Sequence, residues 1–374
     1  MSAVLAALAM AAAAWVTSVA SGCASLPPCP ARGGPVWRQF SSENFEVKTD
    51  LDVPAAQQLV VTLEETRAAM LGAVWGGAPG PTLPTAVIAF ASYAEMEEFG
   101  GFGLEGIHVQ APPFPATMII SAATFTQDQV LRHELAHDLS AWFLPFQPLW
   151  FSEGMATFLE TARYDRATGR AIVGEPSRER AWALQRRGLA SMDVLFGPVP
   201  DNIIDLGFFE TSSWVLVHYL LNHREEAFQR FQHRLGALEP AAQAWHSEFP
   251  DLDRETLYAT LTGYVQSGSY VVSHHPMPAW EGEVEVRILS DAQVHGTRAY
   301  LYAYGYVTGL EEGAQPERSA AEIKEALRED PHALDAMAIA FYASNRRRPI
   351  DIGLSRAELA SRASRAHPEA WLSW

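Results

Sequence analysis

His133, Glu134 and His137, in the run His133-Glu134-Leu135-Ala136-His137, are the residues whose types and spacing best fit chemistry. Residues four apart share one face of a helix, so on a helix the two imidazoles converge and can grip a single metal ion. Glu134 is then placed to take a proton from water at that metal. Glu153 follows sixteen residues after His137, room for a turn and a return, and offers a carboxylate to complete a His, His, Glu set. The plainer alternatives are two packed, partly buried histidines and an ordinary acidic residue at a helix start, neither of which needs a metal.

Position depends on the elements around these residues. Thr126 and Gln129 form a capping-box pattern with Asp128 in the first turn, which predicts a helix running to about Phe143. Pro145 and Pro148 cannot continue it, and Ser152 is the candidate N-cap of a second helix over 153–162 that turns back onto the first. Gly154 and Ala156 are small enough to let those two backbones approach. Upstream, the spacing predicts strands over 45–48, 85–90, 107–110 and 117–121, helices over 54–75 and 92–99, and a Gly-rich turn over 100–106. Downstream, residues 178–265 read as helical, with Trp214, Leu216, Val217, Leu220 and Leu221 forming one amphipathic stretch.

The stretch HELAHDLSAWFLPFQPLWFSEGMATFLE, with its Trp150-Phe151-Ser152-Glu153-Gly154-Met155-Ala156 segment, resembles the peptidase-MA-like gluzincins. In that bacterial group of zinc peptidases the third ligand is the Glu of an E-G-x-A segment. The resemblance covers about residues 36–275 and is strongest over 118–160. It implies one Zn2+ per chain on His133, His137 and Glu153, with Glu134 as general base in peptide-bond hydrolysis. It also implies an oxyanion donor from a downstream helix, for which Tyr219 is the first candidate ahead of His218 and Tyr164; the competing reading makes all three packing residues. Many gluzincins carry an acidic residue four positions after the ligand Glu to orient a ligand histidine, whereas this chain has Thr157, leaving Glu160 or Asp138 for that place. In gluzincin-like folds the strand corresponding to 117–121 forms a sheet edge above the cleft, where an extended peptide adds through main-chain hydrogen bonds; an ordinary core strand is the alternative.

The N-terminus and the charge bound the setting. The Ala-rich apolar run over 3–20 reads as a secretory signal occupying 1–22. Ala20-Ser21-Gly22-Cys23 resembles a bacterial lipobox, which implies a lipoprotein of the cell envelope held to the membrane through a lipid on Cys23. A disulfide between Cys23 and Cys29, the only two cysteines, is the other reading. Residues 23–35 look like a Pro- and Gly-rich tether. With 27 basic against 44 acidic side chains, a net charge of −17 argues against nucleic-acid partners and against charge-driven binding to anionic lipid.

Residues 276–374 change character. Helical runs meet Pro331 and Pro368, thirty-seven residues apart and close to the 34 of a tetratricopeptide repeat, and 290–304 supply an earlier helix. The region reads as a helical, tetratricopeptide-like site for a protein partner, or as an irregular helical cap. The expected architecture is α+β: a zincin-like metallopeptidase domain with a mixed sheet, the metal helix and a mainly helical subdomain, followed by the repeat-like region. Two functions follow. One is an exported, lipid-anchored zinc metallopeptidase acting on peptides or proteins; the other is a non-catalytic zincin-fold envelope scaffold.

Overall fold

A computed structural model describes residues 26–100, 106–110, 114–121, 127–197, 203–303, 315–344 and 350–366. Its first half follows the periodicity of the sequence: β1 (Arg38–Ser41), β2 (Phe45–Thr49), α1 (Val53–Val74), β3 (Thr85–Phe90), α2 (Tyr93–Gly100), β4 (Gly106–Val109), β5 (Thr117–Ser121), α3 (Gln127–Phe143) and α4 (Leu149–Leu159). Asp52 caps α1 by accepting the Ala55 amide at 2.8 Å. The predicted capping residue of α3, Thr126, lies outside the described residues, as do the apolar N-terminal run and Cys23.

The strands form a mixed six-stranded sheet in the order β4-β5-β3-β2-β1-β9, in which β2, β3 and β5 run parallel and β9 (Glu285–Ile288) comes from far down the chain. β3 and β5 are apolar on both faces because both faces are covered there. Val47, Val87, Ala89, Met118 and Ile120 point into one core with α1, α3 and α4, while Ile88, Phe90 and Ile119 point into a second core on the other side. β5 is therefore an interior strand, and β4, antiparallel to it, is the sheet edge beside α3. Of the two readings of 117–121, the core strand holds, and the sheet edge lies one strand over, at β4.

After α4 the chain makes β6 (Arg163–Asp165) and β7 (Arg170–Val173) of a three-stranded sheet, then α5 (Arg178–Arg187), α6 (Met192–Leu195), α7 (Ile203–His223), α8 (Glu225–Gly236), α9 (Ala241–Glu248), α10 (Arg254–Ser267) and the third strand of that sheet, β8 (Ser273–Pro276). Gly154 does make a close approach, but to α7 rather than to α3: a Cβ there would lie 2.6 Å from the Ser213 carbonyl oxygen. Any larger residue at 154 would push the two helices apart.

The C-terminal region contains α11 (Asp291–Tyr302), α12 (Pro316–Glu329), α13 (Leu334–Ala343) and α14 (Arg356–Ala366), and a capping box of Ser290 and Gln293 starts the first of them. It is not a purely helical appendage. β9 completes the main sheet against β1, and Val294, Leu301, Ile323 and Met337 pack in one core with Ile88, Phe90 and Ile119. The helices form the layer that closes the sheet's second face. Nor do the residues after 26 form a loose tether: Arg298 donates to the carbonyls of Pro27 (2.7 Å) and Pro28 (3.2 Å), and Asp291 accepts the Ala31 amide at 3.3 Å. Cys29 is buried and free among the described residues, and Cys23, its partner in the disulfide reading, lies outside them. Among the described residues no helix is long and apolar enough to cross a membrane.

Candidate metal centre

Helix α3 presents two working faces. His133 and His137, one turn apart with ring centroids 4.8 Å from each other, face α4. Glu134 and Asp138, the next residues round the helix, face β4. Helix α4 begins at Leu149 with Pro148 as its N-cap residue, a turn earlier than the sequence suggests, so Glu153 sits in its second turn. From there one carboxylate oxygen, Oε2, lies 3.5 Å from His133 Nε2 and 3.6 Å from His137 Nε2. Those separations are long for hydrogen bonds. They match the edge of a tetrahedron, since N and O ligands at about 2.0–2.1 Å from a common centre are roughly 3.3–3.4 Å apart. His133, His137 and Glu153 thus form a group that can hold a metal ion, with ligand atoms all within 4.8 Å of one another.

Electrostatics agree with a cation site. Burial alone would pull His133 down, but the carboxylates of Glu153 and Glu160 and the nearby Glu134 outweigh it and push its pKa up to about 10. Glu153 is held far below the usual carboxylate range, its burial overcome by His137 and His133. The metal-free cluster keeps a proton where the ligand set would keep a metal, so a metal entering it must displace that proton.

The ligand rings are held from behind. His137 Nδ1 lies 3.1 Å from the Ser152 hydroxyl, so Ser152, which the sequence suggests as a helix cap, instead supports a ligand from within α4. His133 Nδ1 faces Glu160 Oε2 at 3.6 Å. Glu160 itself accepts two bonds from Arg180, from Nε at 3.2 Å and a terminal nitrogen at 3.1 Å, and the other terminal nitrogen pairs with Glu210 at 2.8 Å. Burial opposes ionisation of Glu160, but His133 and Arg180 bring its pKa below the normal value. Of the two acids left open for the orienting role, Glu160 is the one beside a ligand histidine. Asp138 turns to the other face of α3, accepting the Thr85 hydroxyl at 2.7 Å and lying 3.3 Å from His108 Nε2.

The group opens on a cleft of about 510 Å³ walled by β4, α3, α5 and α7. Glu134 lines it. Gly106 on β4 lets the edge strand lie against Glu134, because a Cβ at that glycine would sit 3.3 Å from Glu134 Cγ and 2.3 Å from Val130 Cγ1.

His218 and Tyr219 are not among the residues lining the cleft. His218 is fully buried, with Nε2 donating to the Gly174 carbonyl at 3.1 Å and Nδ1 accepting from the Tyr264 hydroxyl at 2.7 Å, and burial lowers its pKa. Tyr219 stacks on His223 at 5.3 Å beside Tyr264. Both are packing residues of the helical subdomain, and Tyr164 pairs with Ala171 in the small sheet, also away from the cleft lining. Arg180, Glu210 and His108 escape a reading by motif, because each lies on a separate element and only the fold brings it to the cleft.

The chain matches no family model, and a search of curated proteins found no match.

Proposed function

We propose that this chain is a zinc metallopeptidase of the gluzincin type, with a zincin-like catalytic half, exported and anchored by a lipid on Cys23. The observation that carries the reading is the convergence of two imidazole Nε2 atoms on one carboxylate oxygen, at 3.5 and 3.6 Å, with Glu134 beside them on an open cleft. Two nitrogen ligands and one oxygen ligand from protein, leaving a further position open, is the donor set of catalytic rather than structural zinc. Zinc bound there would supply Lewis acidity, lowering the pKa of the water it holds to about 7 and polarising a carbonyl.

The chain's own residues supply the rest. His133, His137 and Glu153 hold the ion, with Glu160 and Ser152 fixing the rings of the two histidines. Glu134 takes a proton as water oxygen bonds to the carbonyl carbon, then passes it to the leaving nitrogen as the C–N bond breaks, giving a carboxylic acid group and an amine. β4 offers the outer edge of a sheet along the cleft, where an extended peptide finds main-chain partners. The scaffold alternative is weakened by the C-terminal helices, which bury their apolar side chains against the sheet rather than standing free. Turnover of a broad peptide library by the zinc-loaded protein tests the proposal, with Glu134→Gln as control. The variant keeps shape and volume but cannot take the proton, so turnover falls on the order of a hundredfold or more. A Glu134→Gln protein as active as the parent would rule out this chemistry.

A further inference from the structure

With His218 buried and Tyr219 packed against the core, neither meets the scissile peptide group opposite Glu134, which leaves that place to the other described residues of the cleft. Among cleft-lining side chains that carry N–H groups, the ligand histidines face Glu153, and Arg180 has its nitrogens on Glu160, Glu210 and the Gly207 carbonyl. Gln129 stands near the start of α3, and among the described residues no hydrogen bond holds its amide in place. His108 is different. Its Nε2 lies 3.3 Å from Asp138 Oδ1, and Asp138 Oδ2 accepts the Thr85 hydroxyl at 2.7 Å. All three side chains are nearly buried, with His108 8% exposed and still lining the cleft.

The periodicities of strand and helix explain the placement. Side chains two apart on a strand share a face about 7 Å apart, and side chains four apart on a helix share a face about 6 Å apart. β4 and α3 run side by side, so Gly106 meets Glu134 and His108 meets Asp138, one step further along both elements. A carbonyl seated against Glu134 would have the His108 ring at its other side. Asp138 occupies Nε2 and leaves Nδ1 for a ligand, the logic by which an acid orients a working histidine in hydrolases.

Building on the peptidase reading, we infer that His108 is a catalytic residue: it hydrogen-bonds the scissile peptide group through Nδ1, with Asp138 and Thr85 as positioning residues. A fixed polar group aimed where charge develops contributes on the order of a hundredfold or more to the rate. Three substitutions of His108 in the zinc-loaded protein separate this role from a latch between β4 and α3. His108→Leu removes both nitrogens, His108→Gln restores an amide near Nε2, and His108→Asn restores one near Nδ1. Two quantities are measured for each: turnover of a cleaved peptide, and affinity for a phosphoramidate dipeptide, whose tetrahedral anion mimics the transition state. The expected result is a loss of about a hundredfold in kcat for His108→Leu with KM and zinc content little changed, partial recovery in His108→Asn but not in His108→Gln, and a parallel loss of phosphoramidate affinity. Asp138→Asn should lower kcat by a smaller factor. Recovery in His108→Gln alone would show a latch and overturn the inference, as would His108→Leu with parental kcat. If the parent protein cleaves no peptide, the peptidase reading fails on its own, and phosphoramidate affinity still decides: no binding to the parent, or binding unchanged in His108→Leu, overturns the role of His108.

Discussion

The two faces of the six-stranded sheet carry similar ionisable side chains and use them in opposite ways. On one face, His133, His137 and Glu153 gather ligand atoms at a common centre beside an open cleft, with Glu160 behind His133. On the other, Cys29 Sγ lies 3.3 Å from His295 Nε2, His295 Nδ1 pairs with Glu322, and Arg298 donates to Cys29 Sγ at 3.4 Å. There the donors are strung in a line rather than gathered at a point, each imidazole nitrogen is already engaged, and a guanidinium stands where a cation would be repelled. The first cluster can hold a metal; the second staples the N-terminal segment to the C-terminal helices. Residue type alone does not separate them. Convergence and access do.

This contrast predicts that the C-terminal layer is needed for the fold and the metal cluster is not. A chain ending at Met277 loses β9 and uncovers Ile88, Phe90 and Ile119, so it should show no cooperative melting transition, whereas stripping metal from the full protein should leave its far-ultraviolet circular dichroism unchanged. A truncated chain that melts cooperatively would make the C-terminal layer a separate module after all.

A second prediction concerns the staple. Burial disfavours charge on His295, but Cys29 and Glu322 overcome it and raise its pKa to about 9. The folded state thus binds a proton more tightly than the unfolded chain, whose histidine titrates near 6.5. The resulting stability is fully present below about pH 6.5 and is lost as pH rises through about 9, on the order of 3 kcal/mol in all. Denaturant titrations of the metal-free protein at pH 6 and pH 9 should show that slope added to the one His133 contributes in the same direction, and Glu322→Gln should reduce it by the His295 share and destabilise the protein at pH 6 by roughly 3 kcal/mol. Equal slopes in parent and variant would detach the pH dependence from this cluster.

How far such differences can be read from sequence depends on how local they are. The run from His133 to His137, the helix over 53–74 and the strands over 85–90 and 117–121 are set by spacing within one element, and each appears where its periodicity places it. The Glu153 helix was legible but its start was not, because Leu149 and Trp150 join the first turn behind Pro148 and move Ser152 from cap to ligand support. Long-range pairing left no local trace: β9 is a short exposed strand whose partner lies some 245 residues upstream, and the small sheet joins β7 to β8 across the whole helical subdomain. Tyr219 and His218 sit on a downstream helix as the family pattern asks, yet His218 belongs to its core face and Tyr219 packs at the margin of that core, against His223 and Tyr264.

Smaller effects should follow from the groups behind the ligands. Glu160→Gln removes the charge facing His133 and leaves Arg180 with one acidic partner, so zinc affinity should fall tenfold to a hundredfold in a chelator competition while the melting temperature shifts by only a few degrees. Unchanged affinity would place the support of His133 elsewhere.

The proposed chemistry needs one ion at one place, and counting it is the direct test. Mass spectrometry under native conditions should find one zinc on the full protein, one on Glu134→Gln, and none on His137→Ala. Zinc retained at full occupancy by His137→Ala, or a parent protein that takes up none, would contradict the assignment of His133, His137 and Glu153 as its ligands.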